Sequence, residues 1–269
     1  MRTYTLLVFL LCSLFMIHAQ DKAYMECHYT ETFKDDLNKK DKVRQDEMVL
    51  RIGRNSSEFF SLWRRGRDHI TDSLTAKGAS MNEILTAREK IAYPISVQYY
   101  TIYKNYPEKG TLTHTDNLAM QDYLCTEKMQ VPYWEIEQEK TKILGFNCQK
   151  ASTTFYGRKW EVWFTTEIPV QDGPWKLQGL PGLILQAEDT DKDYCFKCIE
   201  IRKIDRPIQL PKRRYIKCDK EKFRQTVIEY NADLDLFLKK QGKSVPVAEG
   251  ETRQDAANFF KKAYNYIER

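Results

Sequence analysis

Histidine is scarce in this chain, with four in 269 residues, and the three beyond the N-terminal segment, His28, His69 and His114, are far apart. No two of them stand one helical turn apart around a glutamate, so the zincin arrangement is missing. No serine has the Gly-x-Ser-x-Gly setting that exposes a nucleophile on a strained turn, and no glycine-rich loop leads into a Lys-Ser/Thr pair or spells Gly-x-Gly-x-x-Gly. These gaps remove the usual signatures of serine hydrolases, zinc proteases and nucleotide-binding proteins. Charge of one sign is missing as well. The 43 basic and 38 acidic residues are interleaved, with a formal net charge of +5, and the densest basic run, Lys212-Arg213-Arg214, reads as a solvated turn, so nucleic acid is not an expected partner. No internal repeat, low-complexity tract or apolar run of membrane-spanning length follows the N-terminus. The carboxylates are numerous, but none is singled out by its neighbours as an acid or base.

What is present begins with an export signal. Arg2, an apolar run from Leu6 to Ile17 and the small Ala19 make a secretory signal peptide over residues 1–19, with cleavage before Gln20. Residues 20–269 then form a single domain large enough for a substantial core. Loss of Cys12 leaves six cysteines: Cys27, Cys125, Cys148, Cys195, Cys198 and Cys218. An even count in an exported chain predicts disulfides, and fifteen pairings are open. Cys195 and Cys198 have thioredoxin-like spacing but lie in a strand-like segment, where a thiolate gains nothing from a helix N-terminus, so they read as structural. A metal site built from Cys27, His28 and a distant histidine would suit thiolate and imidazole chemistry, yet adjacent strand residues point to opposite faces.

The hydrophobic pattern predicts strands at Tyr24–Phe33 and Glu47–Ile52, then a helix capped by Ser56 or Ser57 with Phe59, Trp63, Ile70 and Leu74 on one stripe. Ser80 and Glu83 form a capping box for a second helix. Strands follow at Ile95–Tyr103 and Thr111–Thr115, joined by a Pro107–Gly110 turn, and then at Met120–Met129, Trp134–Ile143, Gly145–Thr153, Phe155–Thr165, Leu183–Ala187 and Tyr194–Ile204. Phe155–Thr165 carries large rings on both faces and so needs covering layers. Asp219 caps a long helix ended by Gly242, and Ala256, Phe259, Phe260, Ala263 and Tyr266 mark a last one. The expected fold is α+β: a strongly curved, mostly antiparallel sheet of roughly eight to ten strands, a bowl or open barrel, backed by helices.

The most distinctive stretch is Asp172–Ala187, where three glycines and two prolines precede an apolar run. Leu180, Leu183, Ile184 and Leu185 make this loop apolar, and Gly179 and Gly182 are free to take positive φ. Gly179-Leu180-Pro181-Gly182-Leu183-Ile184 spells the motif of the GLPGLI family of secreted proteins from Gram-negative bacteria, and the flanks resemble that family too: Gly145-Phe146-Asn147-Cys148-Gln149-Lys150-Ala151, Gly157-Arg158 before an aromatic strand, Glu167-Ile168-Pro169 and Gly173-Pro174. The domain is also similar to the bowl-shaped N-terminal domain of certain peptide-N-glycanases, which accompanies a separate catalytic domain. The resemblance implies no catalytic residue, metal or cofactor. It implies an exported protein, in the periplasm or on the outer surface, of a kind that often accompanies TonB-dependent transporters.

Trp160, Trp163, Trp175 and Arg158 lie close in sequence to Gly179, Leu180, Pro181 and Gly182, and rings beside a rigid loop are what a binding groove needs. The competing reading is a packed core with Arg158 paired to a carboxylate. On function, a non-catalytic binding or accessory protein is the first expectation; a glycan- or peptide-directed hydrolase, or a metal-binding periplasmic protein, is the alternative.

Overall fold

The computed structural model describes residues 21–91, 93–96, 98–119, 121–244, 252 and 263–269. The expected signal peptide and most of the expected last helix lie outside the described residues. Twelve strands form one sheet: β1 (Lys22–Phe33), β2 (Arg44–Ile52), β3 (Ser57–Ser61), β4 (Thr101–Lys104), β5 (Thr111–Leu118), β6 (Gln121–Lys128), β7 (Glu135–Ile143), β8 (Phe146–Phe155), β9 (Arg158–Thr165), β10 (Leu183–Asp189), β11 (Tyr194–Pro207) and β12 (Tyr215–Cys218). Four helices accompany it: α1 (Leu62–Ala76), α2 (Met81–Glu89), α3 (Lys220–Ala232) and α4 (Leu234–Lys239).

The strand order is β12-β6-β5-β4-β3-β2-β1-β11-β10-β9-β8-β7, open at both edges. Every pairing is antiparallel except β12 with β6. Two runs of neighbouring strands, β1 to β6 and β7 to β11, therefore meet along β1 and β11, whose register runs from Lys22 opposite Pro207 to Phe33 opposite Tyr194.

The sheet curls strongly. Eight strand spacings separate β6 from β9, which at about 4.8 Å each would hold them nearly 40 Å apart if the sheet were flat. Yet the Tyr156 hydroxyl, in the turn before β9, donates to Glu127 on β6 at 3.1 Å. The concave face is filled by alternate residues from both runs, among them Tyr29, Phe59, Ile102, Trp160, Phe164 and Phe196, all essentially without exposure.

The elements differ from the sequence expectation where pairing overrides periodicity. Ser57–Ser61 is a strand, buried along its whole length between β2 and β4, so the first helix starts at Leu62 with Ser61 as its cap. Phe59 and Phe60 each have a buried side of the sheet to fill, a demand that no helix face meets. No residue of α1 is buried. Of the expected Ile95–Tyr103 strand only Thr101–Tyr103 pairs among the described residues, and the strand runs on to Lys104. Tyr156 and Gly157 both have positive φ and make a turn, so Phe155 ends β8 and β9 begins at Arg158. Asp233 breaks the long helix: its backbone is extended, and its side chain accepts from Leu236 N to cap α4. The capping box at Ser80 and Glu83 forms as expected, as does the hairpin after Pro107. Residues 263–269 are not helical; they lie against the concave side, with Tyr264 bridging Asp36.

Candidate functional site

The loop between β9 and β10 is fixed from below by two buried lysines. Lys104 on β4 reaches the Asp172 carboxylate at 2.5 Å and the carbonyls of Gly173 and Leu177 at 2.8 and 3.0 Å. Burial pushes its ammonium down, and the Asp172 charge opposes that. Lys176 lies 2.6 Å from Glu127 and 2.7 Å from Glu268, over the Tyr156 ring. Trp134 donates its indole N–H to the Gln178 carbonyl at 2.8 Å. Gly179 has φ +93°, as its sequence setting predicts. Gly182 does not take positive φ; its reason is proximity, because a Cβ there would meet the Thr165 carbonyl oxygen at 2.0 Å.

The eight residues singled out around this loop therefore divide. Trp160 and Trp175 pack at a tilt in the core with ring centres 5.6 Å apart, and Leu180 and Gly182 are buried with them. Arg158, wholly buried, gives hydrogen bonds to Asp189 at 2.6 Å, Asn265 at 2.7 Å, and the carbonyls of Tyr266 and Ile267 at 2.8 and 2.9 Å. Trp163 and Gly179 are half-buried, and Pro181 alone is exposed. The first four residues and Arg158 hold the loop and the segment 263–269 in place and present no surface to a ligand.

Open space lies elsewhere on the concave side. A cleft of about 1440 Å³ is bounded by α1, the ends of β5 and β6, the start of β12, α3 and the stretch Gln98–Tyr100. Several of its charges are paired across its walls, while Lys42, Arg88 and Arg214 line it without an ion pair among the described residues. Arg213 holds Asp68 at 3.2 Å, Asp72 at 3.3 Å and Asp122 at 3.8 Å, while Arg64 holds Asp68 at 3.0 Å and lies 4.5 Å over the Tyr99 ring. Arg44 pairs with Asp35 at 2.9 Å. Between these pairs the lining offers the tyrosines Tyr99, Tyr100, Tyr230, Tyr264 and Tyr266 and the amides of Asn117, Gln121 and Asn231. A smaller recess of about 350 Å³ shares the wall of Arg64, Asp68 and Arg213.

Beneath Gln98 and Tyr100 sit two carboxyls on register partners, Glu31 on β1 and Asp46 on β2. Glu31 accepts from Gln98 at 2.9 Å and Tyr100 at 3.3 Å through one oxygen, leaving the other without a hydrogen bond. Asp46 accepts from Ser61 at 2.8 Å and from Ser96. Burial raises both, Asp46 to about 6, and the neighbouring Asp46 charge raises Glu31 further. Nothing in the sequence marked this pair, since each reads as an ordinary acid inside a strand; only the strand register brings them together.

Cys27 is buried in the core, while His28, next to it on β1, points to the other face, where its two ring nitrogens face Glu47 at 2.7 Å and Glu26 at 2.9 Å. Its hydrogen bond to Glu26 raises the imidazole and, with Arg51, lowers Glu26 to about 2. Both ring nitrogens are engaged and the thiol lies behind the sheet, so these two residues do not share a metal site. Asp189, Asp191 and Asp193 lie close enough together to hold an ion, but Arg158 and Arg269 already neutralise them. The six cysteines among the described residues are unbridged, and Cys195 and Cys198, three residues apart on one strand, face opposite sides.

The fold has solved counterparts. Two structures of PNGF-II, in the P21 and C2 space groups, each superpose with a TM-score of 0.50 at 15% identity, covering 78% and 86% of this chain. This chain spans about a third of their length, 34% and 35%. No helix among the described residues is long and apolar enough to cross a membrane. No curated protein matches the sequence. The family model described as N-glycanase peptide, N-terminal domain, matches residues 74–224, a span that takes in the cleft wall from Arg88 to Ile216 and the whole loop beneath it, and it is to this family that the chain belongs.

Proposed function

We propose that the protein is a non-catalytic binding module whose ligand is an oligosaccharide held in the cleft between α1, β5 and β6, and α3. The observation that carries this reading is the composition of a cleft of about 1440 Å³: tyrosine rings and amides set between charges of both signs, many of them already paired. Tyrosine presents an apolar face with a polar tip, which suits the alternating faces of a sugar ring, and amides both donate to and accept from hydroxyls. The lining carries seven basic and six acidic side chains, so the signs nearly balance and no strong field favours a polyanion or polycation. The volume exceeds the roughly 300–1,000 Å³ of a small-molecule pocket and fits several linked rings. The family's name, N-glycanase peptide, N-terminal domain, is in keeping with a domain working beside glycan chemistry. Under this reading the chain is an exported GLPGLI-type member, and its partner in the envelope is a TonB-dependent transporter.

Calorimetric titration with N-glycan-derived oligosaccharides tests the cleft. Binding is expected, and Tyr99→Ala should weaken it by about tenfold or more, or at least ~1.4 kcal/mol, with an unchanged melting curve. Absence of binding, or binding indifferent to Tyr99→Ala, would refute the assignment. A hydrolase is the second reading, favoured by one observation, the raised Glu31–Asp46 carboxyl pair under the cleft floor. Both are fully buried and out of reach of a ligand, which places binding first; glycan or peptide turnover abolished by Asp46→Asn would reverse that order.

A further inference from the structure

Cys125 and Cys218 are register partners on the parallel strands β6 and β12, and their sulfurs lie 3.1 Å apart. Adjacent strands hold Cα atoms about 4.8 Å apart, inside the ~4.4–6.8 Å window of a disulfide, and the sulfurs need to close by only about 1 Å to reach a bond of roughly 2.05 Å. We propose that these two thiols form a disulfide that locks the α3 wall of the cleft to the sheet. Among the other described thiols no two sulfurs are in contact: Cys27, Cys148 and Cys198 are neighbours in the main core cluster but their sulfurs do not meet as those of Cys125 and Cys218 do, and Cys195 faces away from Cys198.

The position gives the bond its consequence. β12 is a four-residue strand at the sheet edge, held by β6 alone. Cys218 directly precedes Asp219, the cap of α3, and the Cys125 sulfur is within 3.8 Å of the Asp219 carbonyl. Ile216 on β12 and Tyr230 and Asn231 on α3 line the cleft. A covalent tie at the root of this unit therefore fixes one wall of the cleft, while reduction leaves it held by four residues of parallel pairing, the contacts of Phe223 and Val227, and Lys220 on Glu268 and the Tyr156 ring.

The chemistry balances with a small-molecule disulfide as oxidant. The thiolate of Cys218, the more exposed of the two, attacks the oxidant and releases one thiol, leaving a mixed disulfide. The Cys125 thiolate then displaces the second thiol, and the Cys125–Cys218 bond forms. Two electrons pass to the oxidant, which is reduced to two thiols, and the two protons leave with them.

The test uses the purified protein, oxidised with glutathione disulfide and compared with protein kept in a thiol reductant. Thiol titration should fall from six to four of the cysteines named above. Peptide mass mapping should find Cys125 joined to Cys218, and amide exchange in α3 and β12 should slow by on the order of tenfold. Cys218→Ser and Cys125→Ala, each treated identically, should show neither the link nor the slowing. Six surviving thiols, a link between other cysteines, a stable glutathione adduct, or a formed link that leaves α3 exchange unchanged would each overturn the proposal.

Discussion

At Gly182 a single hydrogen decides whether the loop fits. A Cβ there would stand 2.0 Å from the Thr165 oxygen and 2.6 Å from its carbonyl carbon, and both are backbone, so no side-chain rotation relieves the clash. Gly182→Ala is expected to cost about 1–3 kcal/mol through displaced pairing of β9 and β10, read as a lower urea midpoint; an unchanged midpoint would contradict the argument. Asp46 makes a second statement at this scale. Burial moves it from 3.8 to about 6, so between those values the folded chain keeps a proton that the unfolded chain has released. Stability attached to this group is therefore lost as pH rises through that window. Asp46→Asn should gain on the wild type from pH 4 to pH 7 by up to about 3 kcal/mol, measured by chemical unfolding at stepped pH. A difference that stays flat with pH would show that the carboxyl is not held protonated. Glu26, lowered from 4.5 to about 2 by His28 and Arg51, acts oppositely and mostly at lower pH, so the two windows overlap only between 3.8 and 4.5.

Among the elements, most strands were legible because alternation and turn residues agree. Trp160, Val162 and Phe164 are buried while Lys159 and Glu161 are exposed. What misled was local pattern with a tertiary override. Ser56 and Ser57 look like caps, and Phe59 falls on a helical stripe with Trp63, but the sheet claims Ser57–Ser61 and moves the cap to Ser61, whose hydroxyl also serves Asp46. β12 went unseen because four residues after a proline carry too little periodicity, and its parallel pairing has no turn signal. The candidate site was less legible than the fold. Aromatic density near the Gly179–Gly182 loop marked the core, since rings bury well, whereas the cleft is built from scattered acids, amides and tyrosines that only the curl of the sheet assembles.

For the whole molecule, the seam between β1 and β11 has a kinetic meaning. β1 to β6 pair each with a neighbour in sequence, and so do β7 to β11, but β1 and β11 find each other across nearly the whole chain. Loop-closure entropy makes such contacts slow to gain, so the two meanders form early and the seam joins them late. A seam substitution such as Phe196→Leu should mainly speed unfolding, while Ile102→Val within the first meander should slow refolding, both visible in the arms of a denaturant chevron. Equal slowing of refolding by both would disprove the order. Until the seam closes, β1 offers an unpaired edge with apolar residues such as Cys27 and Tyr29 on one side, the kind of strand that pairs with another chain if left waiting. A ribosome delivers β1 first and β11 nearly last, so the half-made protein is adhesive throughout most of its synthesis, and its yield in any cell depends on how well that one strand is shielded in the interval.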